Sequence, residues 1–100
     1  MVKMVVMCGG GTYFDREYYV LQHLPLALKL WRPSGLVEAI AYFPADSSEK
    51  SDGTMSVGIY TFRDEMAMRS ALASPVTRQI MDDVPRFTDA EVSRGILDLL

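Results

Sequence analysis

Residues Cys8–Tyr19 read CGGGTYFDREYY, and the reading of this stretch decides the fold. It is preceded by VKMVVMC (Val2–Cys8), short, rich in β-branched residues and bounded by glycine, which predicts a strand. It is followed by a long apolar-periodic segment, Asp15 to Trp31, which predicts a helix. Strand, glycine-rich turn and helix open two different folds. One is a nucleotide-binding βαβ unit, whose glycines cradle phosphate at a helix N-terminus. The other is a split βαβ in which the glycines only turn the chain. A P-loop needs Gly-Lys-Ser/Thr at its end, and a dinucleotide fingerprint needs G-x-G-x-x-G opening the helix. Neither is present. Asp15 instead occupies the helix start, where its carboxylate caps the free N–H groups of the first turn and would repel a phosphate. Gly9, Gly10 and Gly11 are therefore expected to supply positive-φ conformations in a corner.

Working outward, Asp15 as N-cap puts Phe14 and Tyr19 at the two positions of a hydrophobic staple. LVEAIAYF (Leu36–Phe43) and MSVGIYTF (Met55–Phe62) predict two further strands, joined by the polar PADSSEKSDGT, a mobile hairpin loop. Asp64 to Ala73 predicts a helix, Ser74-Pro75 opens a short second one, and Glu91 to Leu97 predicts the last strand. The order is βαββαβ, the ferredoxin-like pattern of an α+β fold with a four-stranded antiparallel sheet and helices on one face. One domain is expected over residues 1–100.

Both faces of this sheet are apolar. In the first strand Val2, Met4, Val6 and Cys8 point one way and Val5 and Met7 the other. In the second, Val37, Ala39, Ala41 and Phe43 share one face, and Leu36, Ile40 and Tyr42 the opposite one. Helices cover only one side, so the other needs a partner. A second copy of the same sheet is the economical solution, and a homodimer packed sheet against sheet is expected.

Composition narrows the function. The chain has 100 residues, a formal net charge of −3, 49% hydrophobic and 23% charged residues. Lys and Arg form no stripe, so no nucleic-acid partner is expected. A lone cysteine forms no intrachain disulfide and fits a reducing, cytoplasmic setting. The apolar N-terminal run is too short to span a membrane and lacks a cleavage pattern, so no membrane partner is expected. One histidine without companion His or Cys makes no metal set. Cys8 reads as structural, and Met4, Met7, Met55, Met66, Met68 and Met81 as core filler.

The chemistry, if there is any, concentrates in YYVLQHLPLALKLW (Tyr18–Trp31), which is apolar nearly all round. At helical spacing Tyr19, His23, Leu26 and Leu30 form one stripe, and Val20, Leu24, Ala27 and Trp31 the next. His23, the single histidine, lies inside this surface. Pro25 removes one backbone donor and frees the Leu21 carbonyl. A kinked helix carrying one imidazole among aromatics suits the wall of a small-molecule pocket. By spacing alone such a histidine is more often a hydrogen-bonded core residue, and Tyr18, Tyr19 and Trp31 more often packing.

The run FDREYYVLQHLPLALKLW, with DDVPRFTD much later, resembles the EthD family, named from an ether-degradation gene cluster. The matching elements are Phe14-Asp15, Tyr18-Tyr19, His23, Pro25-Leu26, Trp31, Pro85 and Phe87-Thr88-Asp89, and the resemblance extends over essentially the whole chain. It implies a ferredoxin-like protomer in a dimeric α/β barrel, from a superfamily of cofactor-free monooxygenases, polyketide cyclases, lactone isomerases and haem enzymes. It implies His23 as the polar residue of the pocket. Tyr19, Trp31 and Tyr60 are then expected as its walls, and Phe87 and Thr88 near its mouth. Ser93, Arg94 and Gly95 depart from the regular apolar strand expected at the end of the chain.

The expected function is binding of a small, largely apolar, oxygen-bearing compound between sheet and helices. Cofactor-independent proton chemistry of the isomerase, cyclase or lyase kind would run with His23 as the catalytic acid or base. The alternative is a non-catalytic binding or carrier protein for such a ligand in a degradative or biosynthetic pathway. Haem held by His23 is a third reading; no cofactor and no metal are otherwise expected.

Overall fold

The computed structural model describes residues 1–45 and 53–97. Most of the hairpin loop read as mobile lies outside the described residues. The elements are β1 (Val2–Gly9), α1 (Arg16–Tyr18), a π-helical turn (Tyr19–His23), α2 (Leu24–Trp31), β2 (Leu36–Tyr42), β3 (Thr54–Phe62), α3 (Glu65–Ala73), α4 (Val76–Asp82) and β4 (Glu91–Leu97), with 3-10 turns at Arg32–Ser34 and Val84–Arg86. The strands form one sheet in the order β2-β3-β1-β4, and every neighbouring pair is antiparallel. β3 lies between β1 and β2, so the crossover helix spans a split βαβ. This is the α+β ferredoxin-like architecture expected from the element order.

The glycine stretch does turn a corner, in part by the device expected. Only Gly10 has positive φ, at 75°. Gly11 is needed for close approach, because a Cβ there would lie 2.6 Å from an Asp89 carboxylate oxygen. That carboxylate accepts from the Thr12 N–H and hydroxyl and from the Tyr13 N–H. The Asp15 N–H donates to the Phe87 carbonyl at 2.7 Å. The corner is thus locked to the FTD segment 75 residues later, and its polar groups are spent on protein contacts. Past it, Asp15 caps the helix by accepting from the Tyr18 N–H, and Phe14 meets Tyr19 edge to face at 5.4 Å, the staple expected.

Ahead of Pro25 the helix widens into the π-helical turn. The Leu24 N–H bonds back five residues to the Tyr19 carbonyl, which carries the ladder past the donor that proline lacks. The wide turn also shifts the helical phase. The buried line runs through Tyr19, His23, Ala27 and Trp31, four residues apart throughout, and so crosses between the two stripes drawn at 3.6-residue spacing. Val20, on the second of those stripes, and Leu21 are 41% and 59% exposed.

On the sheet, Met4, Cys8, Ser56, Tyr60 and Phe62 are buried under the helices. An irregularity between Leu36 and Glu38 brings Leu36 opposite Phe62 and buries it on this inner face, not beside Ile40 and Tyr42 as simple alternation predicts. Ile40 and Tyr42, with Met7 and Leu97, remain exposed on the outer face, which carries the apolar surface expected there. Of the methionines read as core, Met4 and Met68 are buried, whereas Met7, Met66 and Met81 are exposed.

Candidate functional site

A small cavity of about 40 Å³ lies between the inner face of the sheet and the helices. β1 supplies Met4, Val6 and Cys8 to its wall, and β3 supplies Tyr60. The π turn and α2 supply Tyr19, His23 and Trp31, and the segment after α4 supplies Phe87. A water needs about 10–15 Å³ of such space, so the cavity as it stands holds a few waters. Met81 of α4 and Arg94 of β4 also border it and are exposed.

His23 is 4% exposed. Its ring stacks on Tyr19 at 5.4 Å and tilts against Phe87 at 4.6 Å. Nδ1 lies 2.9 Å from Asp83 Oδ2, and the Tyr18 hydroxyl donates to Asp83 Oδ1 at 2.8 Å. Arg86 Nε stands 3.8 Å from the same oxygen. Burial works against ionisation of Asp83, but the hydrogen bonds from His23 and Tyr18 and the neighbouring cation hold its carboxyl below the usual carboxylate range. Asp83 is therefore an anion that only accepts, which assigns the proton of a neutral His23 to Nδ1. Burial pushes the His23 pKa down, opposed in part by Asp83. The ring is neutral near pH 7, and its Nε2 lone pair has no hydrogen-bond partner among the described residues.

The second polar feature is a pair of tyrosines. Tyr19 and Tyr60 bring their hydroxyls to 3.2 Å. Burial raises the Tyr19 pKa to about 12, with the Tyr60 hydrogen bond offsetting it, and burial and the Tyr19 hydroxyl raise that of Tyr60 as well. Both stay protonated, and one hydrogen bond between two hydroxyls uses one proton. The other proton is left to donate. Gly58 makes this possible: a Cβ at that strand position would lie 2.6 Å from the Tyr19 hydroxyl and 3.0 Å from the Tyr60 ring.

Trp31 presents its ring to Tyr60 at 5.9 Å, while its indole N–H donates to the Thr77 hydroxyl, which in turn donates to the Ala71 carbonyl. The polar edge is spent on α3 and α4, and the apolar face borders the cavity. Cys8 borders it too; burial raises its thiol pKa, which leaves the group protonated and unreactive.

The structure thus brings together His23, Tyr19, Trp31, Tyr60 and Phe87. It does not bring Thr88 to them, nor does it place Phe87 at a mouth. Phe87 is 1% exposed and packs among Phe14, Tyr18, Tyr19 and His23. Thr88 is equally buried, donates its hydroxyl to the Tyr13 carbonyl and accepts from the Ala90 N–H; its role is to hold the corner. Sequence reasoning did not single out Asp83, Tyr18 as a partner of Asp83, or Gly58. A glycine in an otherwise regular strand signals a close approach, and that signal was available. Asp83 carried none, since nothing local distinguishes it from Asp82.

No protein-family model matches the chain, and no curated protein matches it by sequence. Solved structures do match its fold. An EthD-like protein from Ralstonia eutropha superposes with a TM-score of 0.82 at 18% identity, over 99% of this chain and 91% of the other. A dimeric ferredoxin-like protein of unknown function from Jannaschia gives 0.68 at 14% identity, over 99% and 100%. SnoaB, a cofactor-independent oxygenase from Streptomyces nogalater, gives 0.62 at 16% identity, over 99% and 94%. The chain has the fold of the EthD-like proteins, as the resemblance in its first helix and its DDVPRFTD segment implies.

Proposed function

We propose that this EthD-type fold binds a small, largely apolar carbonyl compound between sheet and helices and moves a proton on it without a cofactor. The observation that carries this reading is the Asp83–His23 pair, a carboxylate-oriented neutral imidazole at the wall of a mostly apolar cavity. His23 Nε2 takes a proton from the carbon beside the carbonyl. The C–H electron pair becomes the C=C bond of an enolate, and the carbonyl π pair moves onto oxygen. The free proton of the Tyr19–Tyr60 pair hydrogen-bonds that oxygen among buried, mostly apolar side chains. Asp83 keeps its charge throughout and faces the imidazolium that forms. Return of the proton at another carbon completes an isomerisation. Attack of the enolate on a second carbonyl carbon, with the His23 proton passing to the alkoxide formed, gives a cyclase outcome; expulsion of a β leaving group, which takes the His23 proton, gives a lyase outcome.

Such a base works in its unprotonated form. The kcat/KM profile should therefore fall as pH drops through the His23 pKa, with a midpoint below the ordinary 6.5. The test is exchange of α-deuterium from a panel of small ketones and lactones, followed by NMR on wild type and His23→Gln. Exchange about 10²–10⁴-fold faster with wild type is the expected result. Equal exchange by both, with ligand binding intact, would favour the carrier reading.

We also propose that the working unit is a homodimer through the outer sheet face. The support is its uncovered apolar residues, Met7, Ile40 and Tyr42, and the dimeric state of the Jannaschia protein of the same fold.

A further inference from the structure

We infer that Arg94 recognises an anionic oxygen group of the ligand, so that the compound taken up is a small apolar acid, a carboxylate being the simplest case. The inference rests on the proposed ligand site and narrows its substrate class. Arg94 sits opposite Val6 in the β1–β4 ladder, and facing residues of an antiparallel pair share one side of the sheet. Val6 borders the cavity, so Arg94 is on the inner, helix-covered face, where a strand of this kind is expected to be apolar.

Two features give the residue a purpose. Arg94 is exposed, borders the cavity and has no ion-pair or hydrogen-bond partner among the described residues. It is also the only formally charged side chain among those that line it. Asp83 is hydrogen-bonded to the imidazole and borders a separate cleft lined by residues of the first helical segment and of α4. A ligand lying between Arg94 and His23 meets one cation at its outer end and apolar walls along its length. At its inner end it meets a neutral base and a hydroxyl donor. A guanidinium takes a carboxylate through two parallel N–H···O bonds, which fixes orientation as well as affinity. Anchored in this way, the carbon skeleton points inward toward His23.

The test uses cyclohexanecarboxylate and cyclohexanecarboxamide, equal in shape and different in charge, titrated onto the full chain. The readouts are the fluorescence of Trp31, the single tryptophan, and amide NMR shifts of the cavity residues. The carboxylate should bind wild type about tenfold or more tightly than the carboxamide at low salt, with the advantage shrinking as salt is added. Arg94→Gln should bring the two within about threefold of each other while leaving the carboxamide unchanged, and Arg94→Lys should recover part of the difference. Equal binding of both probes to wild type, or a carboxylate preference that survives in Arg94→Gln, overturns the assignment of Arg94 alone. Failure of both probes to perturb the cavity at millimolar concentration overturns the ligand site and this inference together.

Discussion

Asp83 Oδ2 stands 2.9 Å from His23 Nδ1 across 60 residues of sequence, and each group sets the state of the other. The carboxylate dictates which imidazole nitrogen carries the proton, and the imidazole N–H helps keep the carboxylate ionised. Asp83→Asn separates these effects. Loss of the anion removes what opposes burial, so the His23 pKa should fall further below 6.5. With the tautomer no longer enforced, proton-transfer activity should drop at least tenfold at every pH, with His23→Gln lower still. A 15N-resolved NMR titration of the His23 ring checks the first part; an upward shift in Asp83→Asn would contradict it.

Gly58→Ala probes the tyrosine pair. An exposed strand glycine replaced by alanine usually gains stability. Here the methyl group would reach 2.6 Å from the Tyr19 hydroxyl, and overpacking of this kind costs about 1–3 kcal/mol. Thermal unfolding should show the loss, and Tyr19→Phe in the same chain should recover part of it by vacating the slot. Additive losses in the double variant would show that the hydroxyl is not what the methyl meets.

Stability should depend on pH through His23. Its folded pKa lies below the ordinary 6.5, so between those two values the unfolded chain binds more protons than the folded one. Stability contributed by the neutral ring is therefore present above pH 6.5 and is lost as pH falls through the folded value. Urea unfolding at a series of pH values between 7.5 and about 4.5 should show this decline, and His23→Gln should flatten it over that window.

The outer sheet face carries the assembly prediction. Ile40, on the edge strand β2, is opposite Ile59 of β3 on that face and is 38% exposed in the single chain. Ile40→Glu places a charge where a second sheet would pack, and leaves the inner face untouched. Sedimentation should find wild type at about twice the chain mass of 11.2 kDa and the variant at the chain mass, with its circular dichroism unchanged. A wild type that sediments at the single-chain mass would remove the homodimer.

Most of the fold was legible because it depends on short-range pattern. The strands at Glu91–Leu97 and Leu36–Tyr42, the helix over Glu65–Ala73 and the Asp15 cap all lie where alternation, periodicity and capping chemistry put them. Two of the misreadings share a form, a local irregularity that changes phase. The irregularity after Leu36 moves that side chain to the inner face, and the π turn before Pro25 redirects the buried line of the first helix. Such shifts come from one missing or displaced backbone bond and leave no periodic trace.

His23 and the aromatics around it were legible as a group, because one imidazole on an apolar helix stands out in any sequence of this composition. What the residues alone determined is the element order, the two-faced sheet and the helix that carries the polar group, since each follows from local propensity and the period of apolar side chains. Only the tertiary structure decided that Asp83 and not Asp82 meets His23, that Gly58 makes room for Tyr19, that Thr88 holds a corner and that Arg94 borders the cavity. Those relationships join positions far apart in the chain. They are fixed by the register of β1 with β3 and β4 and by the packing of α4 on α2, where long-range geometry selects among residues that are locally equivalent.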